Sequence, residues 1–370
     1  MRKSFKYRLF TNKAQESKLE SLFNSARFLY NCALEHRIMC WKQWNKSINY
    51  YDQANSLKEI RSFDEGLSRL NCSVSQDILR RLDKAFRAFF RRIKTGDKPG
   101  FPRFKGQDRF NSITFPAYGD GVKIKNGKLY IQNIGSVRIK LHRDLEGKIK
   151  TVTIKRQNGH FYASFSCDNV VPQTLAPCNI EVGIDVGIKS FAAMSNGEII
   201  DNPKHLKHSE IKLKDLQRKH SKKRTRKTKK KLGRLHTKIA NQRKDFLHKL
   251  SRDIVNCFGF IFVEDLKPKK MVNGNHKILN RYINDAAWSM FFDFLSYKAE
   301  SAGRTLIKIN PKNTTQTCSA CGKIVPKDLS VRVHECSCGL TVDRDINAAL
   351  NILALGQSVL GFPKEAVCFN

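Results

Sequence analysis

The chain has 370 residues, with 69 Lys and Arg against 33 Asp and Glu and a formal net charge of +36. That excess excludes an ordinary soluble metabolic enzyme acting on a small-molecule substrate. It points instead to a polyanionic partner, because each phosphate neutralised by Lys or Arg releases condensed counterions. A hydrophobic content of 40% with 24 Phe excludes global disorder and supplies core material for two or three domains.

The opening Met1-Arg2-Lys3-Ser4-Phe5-Lys6 has no apolar stretch behind it, so no secretion signal is expected. No run of about 18 apolar residues occurs, so no membrane partner is expected either. Seven of the 11 Cys are scattered singly, which suits a reduced, cytoplasmic chain.

Lys6-Tyr7-Arg8-Leu9-Phe10 alternates like a strand and then meets Thr11-Asn12. Asn12 followed by Gln15 reads as a capping box, and Leu19, Leu22, Phe23, Ala26, Leu29, Ala33 and Leu34 recur at helical spacing. Helical patterning runs to about Lys94. In its last helix Leu82, Phe86, Phe89, Phe90 and Ile93 make one face, leaving Arg80, Lys84, Arg87, Arg91 and Lys94 for solvent or phosphate. Gly96 to Lys105, with two Pro and two Gly, breaks the helix.

From Val122 the period becomes two. Asn126-Gly127 and Asn158-Gly159 each separate alternating runs, the strongest short-range hairpin signal. Residues of about 110 to 168 are therefore expected to form a small β-barrel that also takes in the first strand, with the helical block inserted between them.

Pro172 to Pro177 reads as a linker. Ile180-Glu181-Val182-Gly183-Ile184-Asp185-Val186-Gly187 is a buried-type strand, and Phe260-Ile261-Phe262-Val263 is another, ending at Glu264-Asp265. Between them, residues 201–250 carry 19 Lys and Arg against 4 Asp and Glu. Leu232, Leu235, Ile239, Phe246, Leu250 and Ile254 run through this region at helical spacing, so its charge sits on helices with core faces and is expected to contact nucleic acid.

Cys318-x-x-Cys321-Gly322 and Cys336-x-Cys338-Gly339 offer four thiolates at zinc-ribbon spacing, which suits one structural Zn²⁺ with no open coordination position. The second pair is shorter than the usual C-x-x-C, and His334 is an alternative ligand. Asp185 sits among apolar residues in a strand, Glu264 ends a strand, and Asp345 begins the helical run Ile346 to Leu353. Brought together, these acids would hold two Mg²⁺ for phosphodiester hydrolysis. Spacing alone equally allows an isolated acid at Asp185 and a helix N-cap at Asp345, with Asp265 and Asp343 as neighbouring acids.

Taken in order, Gly183-Ile184-Asp185-Val186-Gly187-Ile188-Lys189, Val263-Glu264-Asp265-Leu266-Lys267, Cys318-x-x-Cys321-Gly322 and Asp343-Arg344-Asp345-Ile346-Asn347-Ala348-Ala349 resemble the OrfB/TnpB proteins of bacterial insertion sequences, relatives of the type V CRISPR nucleases. Tyr30-Asn31, Lys98 to Lys105, Asn241 to Leu250 and Tyr297-Lys298-Ala299-Glu300 extend the likeness over nearly the whole chain. The resemblance implies a multidomain α+β fold. Its parts would be a β-barrel wedge domain (1–12 and 108–176), a helical recognition lobe (13–107), and a RuvC-type, RNase H-like nuclease domain (177–370) with basic helices 204–256 and a zinc ribbon at 308–342.

It further implies an RNA-guided, Mg²⁺-dependent DNA endonuclease of a transposable element, with Asp185, Glu264 and Asp345 as catalytic acids. A guide RNA from the transposon end and double-stranded target DNA would be its partners, and the bacterial cytoplasm, at the nucleoid, its location. Arg87, Arg91, Arg103, Lys105, Lys222, Lys223, Arg224, Arg226, Lys230 and Arg243 are the expected nucleic-acid contacts. A nuclease-silent RNA-guided repressor of the same family and an accessory transposition protein are the competing expectations.

Overall fold

Alternation in the first strand organises the first half of the chain. In the computed structural model, which describes residues 1–107, 109–267, 271–272, 276–328 and 331–361, β1 (Lys3–Phe10) buries Phe5, Tyr7 and Leu9. The remaining strands of this sheet are β2 (Ser112–Phe115), β3 (Val122–Lys125), β4 (Lys128–Ile131), β5 (Gly135–Lys140), β6 (Lys148–Gln157) and β7 (His160–Asp168). Their order is β2-β6-β7-β1-β5-β4-β3, antiparallel throughout, so β1 lies at the centre although it comes first in sequence. Tyr118 nearly closes the sheet: its N–H donates to the Lys150 carbonyl in β6 at 3.0 Å and its hydroxyl accepts from the Ile124 N–H in β3 at 2.9 Å.

Both expected hairpins form. Asn126 and Gly127 (φ 50 and 67) join β3 to β4, and Asn158 and Gly159 (φ 51 and 79) join β6 to β7. Positive φ at both central residues is the turn whose twist matches that of the flanking strands.

Between β1 and β2 the described residues form five helices, α1 (Lys13–Trp44), α2 (Tyr50–Asn55), α3 (Leu57–Phe63), α4 (Glu65–Ser68) and α5 (Cys72–Lys94). The Asn12 side chain accepts from the Gln15 N–H and Gln15 returns the bond, the capping box read from the sequence. Helices and sheet share one apolar cluster, with Phe23 of α1 stacked on Phe161 of β7 at 6.2 Å.

Only the start of the expected face of α5, Leu82 with Phe86 packed beside it, enters that cluster. Val74, Ile78, Leu79 and Leu82 are buried, whereas Phe90 and Ile93 are about half exposed at 54% and 51%. The helix outruns the core there, and Phe86 and Phe89 meet Phe101 edge-on at 5.5 and 5.3 Å.

The chain divides after Val171, and Pro172–Asn370 forms a second unit. Its sheet has β8 (Glu181–Val186), β9 (Ser190–Met194), β10 (Ile199–Asp201), β11 (Phe260–Glu264) and β12 (Thr305–Ile309) in the order β10-β9-β8-β11-β12. β8, β11 and β12 are parallel, and β9 and β10 are antiparallel additions. Among the described residues its helices are α6 (His205–His208), α7 (Glu210–Lys222), α8 (Arg226–Cys257), α9 (Lys277–Ala286), α10 (Trp288–Ala302) and α11 (Arg344–Leu360); a small hairpin, β13 (Val333–Glu335) with β14 (Thr341–Asp343), precedes α11. Among the described residues no helix is long and apolar enough to cross a membrane.

Side-chain alternation gives this sheet two faces. Val182, Ile184, Ile261 and Val263 join Ile254 and Val255 of α8 and Phe291 and Leu295 of α10 in one core. Lys298 of α10 reaches into α8, donating to Ser251 Oγ at 2.7 Å, and burial pulls its amine down to about 8. The opposite face belongs to α11, which runs antiparallel to β8. A Cβ added at Gly183 would lie 2.1 Å from the Ala349 carbonyl oxygen and 2.6 Å from the Leu353 nitrogen, and one at Gly356 would lie 2.1 Å from the Phe262 ring. Gln357 Nε2 donates to Glu181 Oε2 at 2.6 Å. Four helical residues rise about 6 Å and two strand residues about 6.6 Å, so 357, 353, 349 and 345 step along the helix in time with 181, 183, 185 and 187 on the strand.

Gly183 holds an ordinary backbone conformation, so its role is the close approach alone. Gly183→Ala is expected to lose about 3 kcal/mol of stability by overpacking, measured by denaturant unfolding.

Candidate active site and metal centre

Register fixes two of the three acids. The parallel ladder between β8 and β11 pairs Phe262 with Gly183 and Val263 with Ile184. Asp185 and Glu264 are the next step along these neighbouring strands, and both are nearly buried, at 8% and 7% exposure. Alternation turns both toward the face that α11 covers. Helix α11 ends its contact with the sheet at this point, bringing its first turn over the strand ends: Asp345 Oδ2 lies 4.0 Å from where a Cβ on Gly187 would stand.

The neighbouring acids have other employment. Asp343, not Asp345, is the N-cap of α11, accepting from the Asp345 and Ile346 N–H groups at 2.8 and 3.4 Å. Asp345 is thereby released to point out of the first turn. Asp265 is half exposed, with Lys267 Nζ at 3.8 Å.

Three carboxylates in one buried place repel each other. Desolvation, then Glu264, then Asp345 push the Asp185 carboxyl well above its usual range. Burial also raises Glu264, against the Thr314 hydroxyl, which donates to Glu264 Oε1 and stabilises the ionised form. Asp345 is held by Arg344, whose Nε and Nη2 donate to Oδ1 at 3.2 and 3.1 Å, with Arg332 Nη1 3.7 Å from Oδ2. Hard oxygen donors crowded in a buried site are the donor set that a divalent cation such as Mg²⁺ relieves, so the residues fit that ion.

The four cysteines converge in spite of the short second pair. Their sulfurs all lie within 4.8 Å of one another, with Cys318 to Cys338 at 3.7 Å and Cys321 to Cys336 at 3.6 Å. A tetrahedral ion with Zn–S bonds of about 2.3 Å would set sulfurs about 3.8 Å apart. Gly322 (φ 74) and Gly339 (φ 95) supply the left-handed turns after each pair, and the Cys336 N–H closes its turn on the Leu340 carbonyl at 3.0 Å.

The Cys338 N–H and neighbouring thiols pull Cys336 down to about 6. Cys338, despite the lowering effect of the Leu340 N–H, is pushed up to about 11 by its bond with Cys336. His334, the alternative ligand, is buried outside the sulfur cluster. Among the described residues the acids form no cluster as tight as these sulfurs.

Two buried asparagines of α11 belong to the site's surroundings through contacts that local patterning does not show. Asn347 donates to the Thr317 carbonyl at 2.8 Å and accepts from the Ser319 N–H at 3.0 Å. Asn351 donates to the Thr314 and Thr317 carbonyls at 2.8 and 2.6 Å. Two Asn at i and i+4 in an otherwise apolar helix were the available signal, because buried amides need partners.

Of the basic residues, Arg87, Arg91 and Arg103 in the first unit are exposed, although Arg87 also pairs with Asp83 at 2.7 Å. Lys105 is half-buried, with its ammonium 5.4 Å from the Tyr30 ring centroid and its N–H bonded to Asn31. In the second unit Lys222, Lys223, Arg224, Arg226 and Lys230 are exposed. Arg243 departs from the expected surface contact: it turns inward to pair with Asp285 of α9. That carboxylate is mostly buried and takes the guanidinium as counter-charge.

Comparison with known proteins matches residues 1–51 to a helix-turn-helix domain model of the OrfB IS605 type, 164–274 to the OrfB IS605 model described as a probable transposase, and 288–352 to the TNB domain of Cas12f1-like proteins. Here 1–51 contains β1 and α1. The chain is 33% identical to a "Putative RNA-guided DNA endonuclease" of Streptomyces pristinaespiralis, over 96% of this chain and 90% of that protein. It is 31% identical to the "Putative RNA-guided DNA endonuclease InsQ" of Escherichia coli (strain K12), over 96% and 93%. A solved structure, that of the mini-RNA-guided endonuclease CRISPR-Cas_phi3, covers 99% of this chain and 93% of its own at 12% identity and a TM-score of 0.49.

Because the Asp185 carboxyl is raised, the folded protein keeps a proton there that the unfolded chain releases at about pH 3.9. The stability this confers is complete below the unfolded value and is lost as pH rises through the folded one. In buffer free of divalent cations, Asp185→Asn is expected to raise Tm by a few degrees at about pH 8, the difference vanishing toward about pH 4; thermal melts across pH check this. Cys321→Ser is expected to lower bound zinc well below about one ion per chain and to lower Tm, read by elemental analysis and melting.

Proposed function

Because the chain belongs to the OrfB/TnpB family of insertion-sequence proteins, we propose that it is an RNA-guided, Mg²⁺-dependent DNA endonuclease encoded by a transposable element. It cleaves double-stranded DNA matched to a guide RNA made from the transposon end, in the bacterial cytoplasm at the nucleoid. The observation that carries this reading is the convergence of Asp185, Glu264 and Asp345, from three distant segments, on one end of a parallel strand pair. The order β10-β9-β8-β11-β12, in which an antiparallel meander continues into parallel strands, supports a RuvC-type, RNase H-like nuclease domain at 177–370. The sheet built on β1 would be the wedge domain (1–12 and 108–176) and the inserted helices the recognition lobe (13–107).

Asp185, Glu264 and Asp345 would hold two Mg²⁺, which when bound supply water activation and stabilisation of the leaving oxygen in phosphodiester hydrolysis. The chain's own contribution is preorganisation. Burial keeps the carboxylates from being spread by water, Arg344 fixes the rotamer of Asp345, and the strand register sets Asp185 beside Glu264. Cys318, Cys321, Cys336 and Cys338 would hold one structural Zn²⁺, which leaves no position for substrate. Arg87, Arg91, Arg103, Lys105, Lys222, Lys223, Arg224, Arg226 and Lys230 would bind nucleic-acid backbone, so that base pairing reads sequence while the protein reads shape.

Asp185→Ala is expected to abolish cleavage in Mg²⁺ while leaving RNA binding nearly intact. The assay sequences the RNA that copurifies with the protein and then supplies a matching plasmid with and without Mg²⁺; retained cutting by the variant, or absence of a discrete RNA, overturns the reading.

A further inference from the structure

The stretch after β12, from Thr314 to the first thiol of the four-cysteine knuckle, does two things at once. At its start Thr314, 2% exposed, donates its hydroxyl hydrogen to Glu264 Oε1. At its end Cys318 presents its sulfur to the other three cysteines. Between these points the backbone is clamped to α11: Asn351 holds the Thr314 and Thr317 carbonyls, and Asn347 holds the Thr317 carbonyl and the Ser319 N–H. Asn347 and Asn351 are themselves buried, and Asn347 stands two residues after Asp345 on the same helix.

We infer that Thr314 is a positioning residue for Glu264, and that the segment 314–319, locked by Asn347 and Asn351, makes the four-cysteine knuckle a structural part of the acid site. The physical case is one of constraint. A glutamate at a strand end has three side-chain torsions, and burial alone does not choose among its rotamers. One donated hydrogen bond fixes one carboxylate oxygen and leaves the other free to face a cation. The hydroxyl fixes Glu264 only if the Thr314 backbone is itself fixed. Strand pairing does not reach Thr314, since β12 ends at Ile309; the asparagine bonds and the knuckle hold it. The same helix carries Asp345, so the distance between Glu264 and Asp345 is set through this loop as well as through the sheet.

The inference rests on the acid-site reading given above, and its test separates the two. Mn²⁺ alone is titrated, by the paramagnetic signal of the free ion, into the full-length, zinc-loaded protein with its copurifying RNA. Thr314→Val, close in shape but without the hydroxyl, is expected to weaken Mn²⁺ binding about tenfold, about 1.4 kcal/mol, as befits loss of a hydrogen bond to a charged group. Zinc content and RNA binding stay unchanged, and Thr314→Ser restores affinity to within about twofold of the parent. Cys321→Ser, which alters no acid, is expected to weaken Mn²⁺ binding in the same direction as its zinc is lost.

Parental Mn²⁺ affinity in Thr314→Val, while Glu264→Gln loses it, overturns the role of Thr314 alone. Zinc loss in Cys321→Ser with parental Mn²⁺ affinity overturns the role of the knuckle. Parental affinity in Glu264→Gln itself overturns the acid site and this inference with it.

Discussion

Helix α11 lies so close to strand β8 that their backbones touch, and most of the second unit's arrangement follows from that contact. No residue larger than Gly fits at position 183, because the Ala349 carbonyl and the Leu353 nitrogen already occupy the space of a Cβ. Gly356 repeats the condition against Phe262 of the next strand. Close approach at two points fixes the helix in rotation and translation. Since helix and strand advance by nearly equal steps there, fixing it at 183 also fixes where its first turn falls. That place is beside Asp185 and Glu264. An acid at the start of a helix and acids at the ends of strands become one group because two glycines let the elements meet.

Gathering the acids has an electrostatic cost that the fold meets locally. Asp185 is buried beside two other acids and its carboxyl is raised well above its usual range, whereas Asp345 has Arg344 and Arg332 beside it and Glu264 has the Thr314 hydroxyl. The site is thus graded, with burial raising two of the acids and two arginines facing the third. A bound divalent cation would relieve this crowding. The site is also one where local stability is sacrificed, since a buried unpaired carboxylate opposes folding.

The large positive charge is distributed differently. In α7 and α8 it rides on helices whose apolar residues Leu213, Leu235 and Ile239 form a small cluster of their own, so those cations are displayed by folded structure. Arg243 and Arg37 show the limit of reading charge from sequence. Each is drawn inward by a buried acid, Asp285 and Asp83 respectively, and no local pattern separates an arginine that serves a carboxylate from one that serves a phosphate.

Much of the fold was legible because it rests on local rules. Asn-Gly turns, the capping box at Asn12 and Gln15, the alternation in β1 and the apolar runs of β8 and β11 each follow from the preferences of a few consecutive residues. So does the thiol spacing, since each pair with its glycine is a turn in itself. What the sequence by itself determined were these elements, the excess of positive charge and the identity of the acids and thiols available for metals. Tertiary structure decided which acid caps α11 and which faces the strand ends, that Phe90 and Ile93 outrun the core, that Arg243 is committed to Asp285, and that Thr314, Asn347 and Asn351 join the cysteines to Glu264. All of these are contacts between residues far apart in the chain. Their existence depends on register and on how closely two backbones can approach, quantities that no window of neighbouring residues contains.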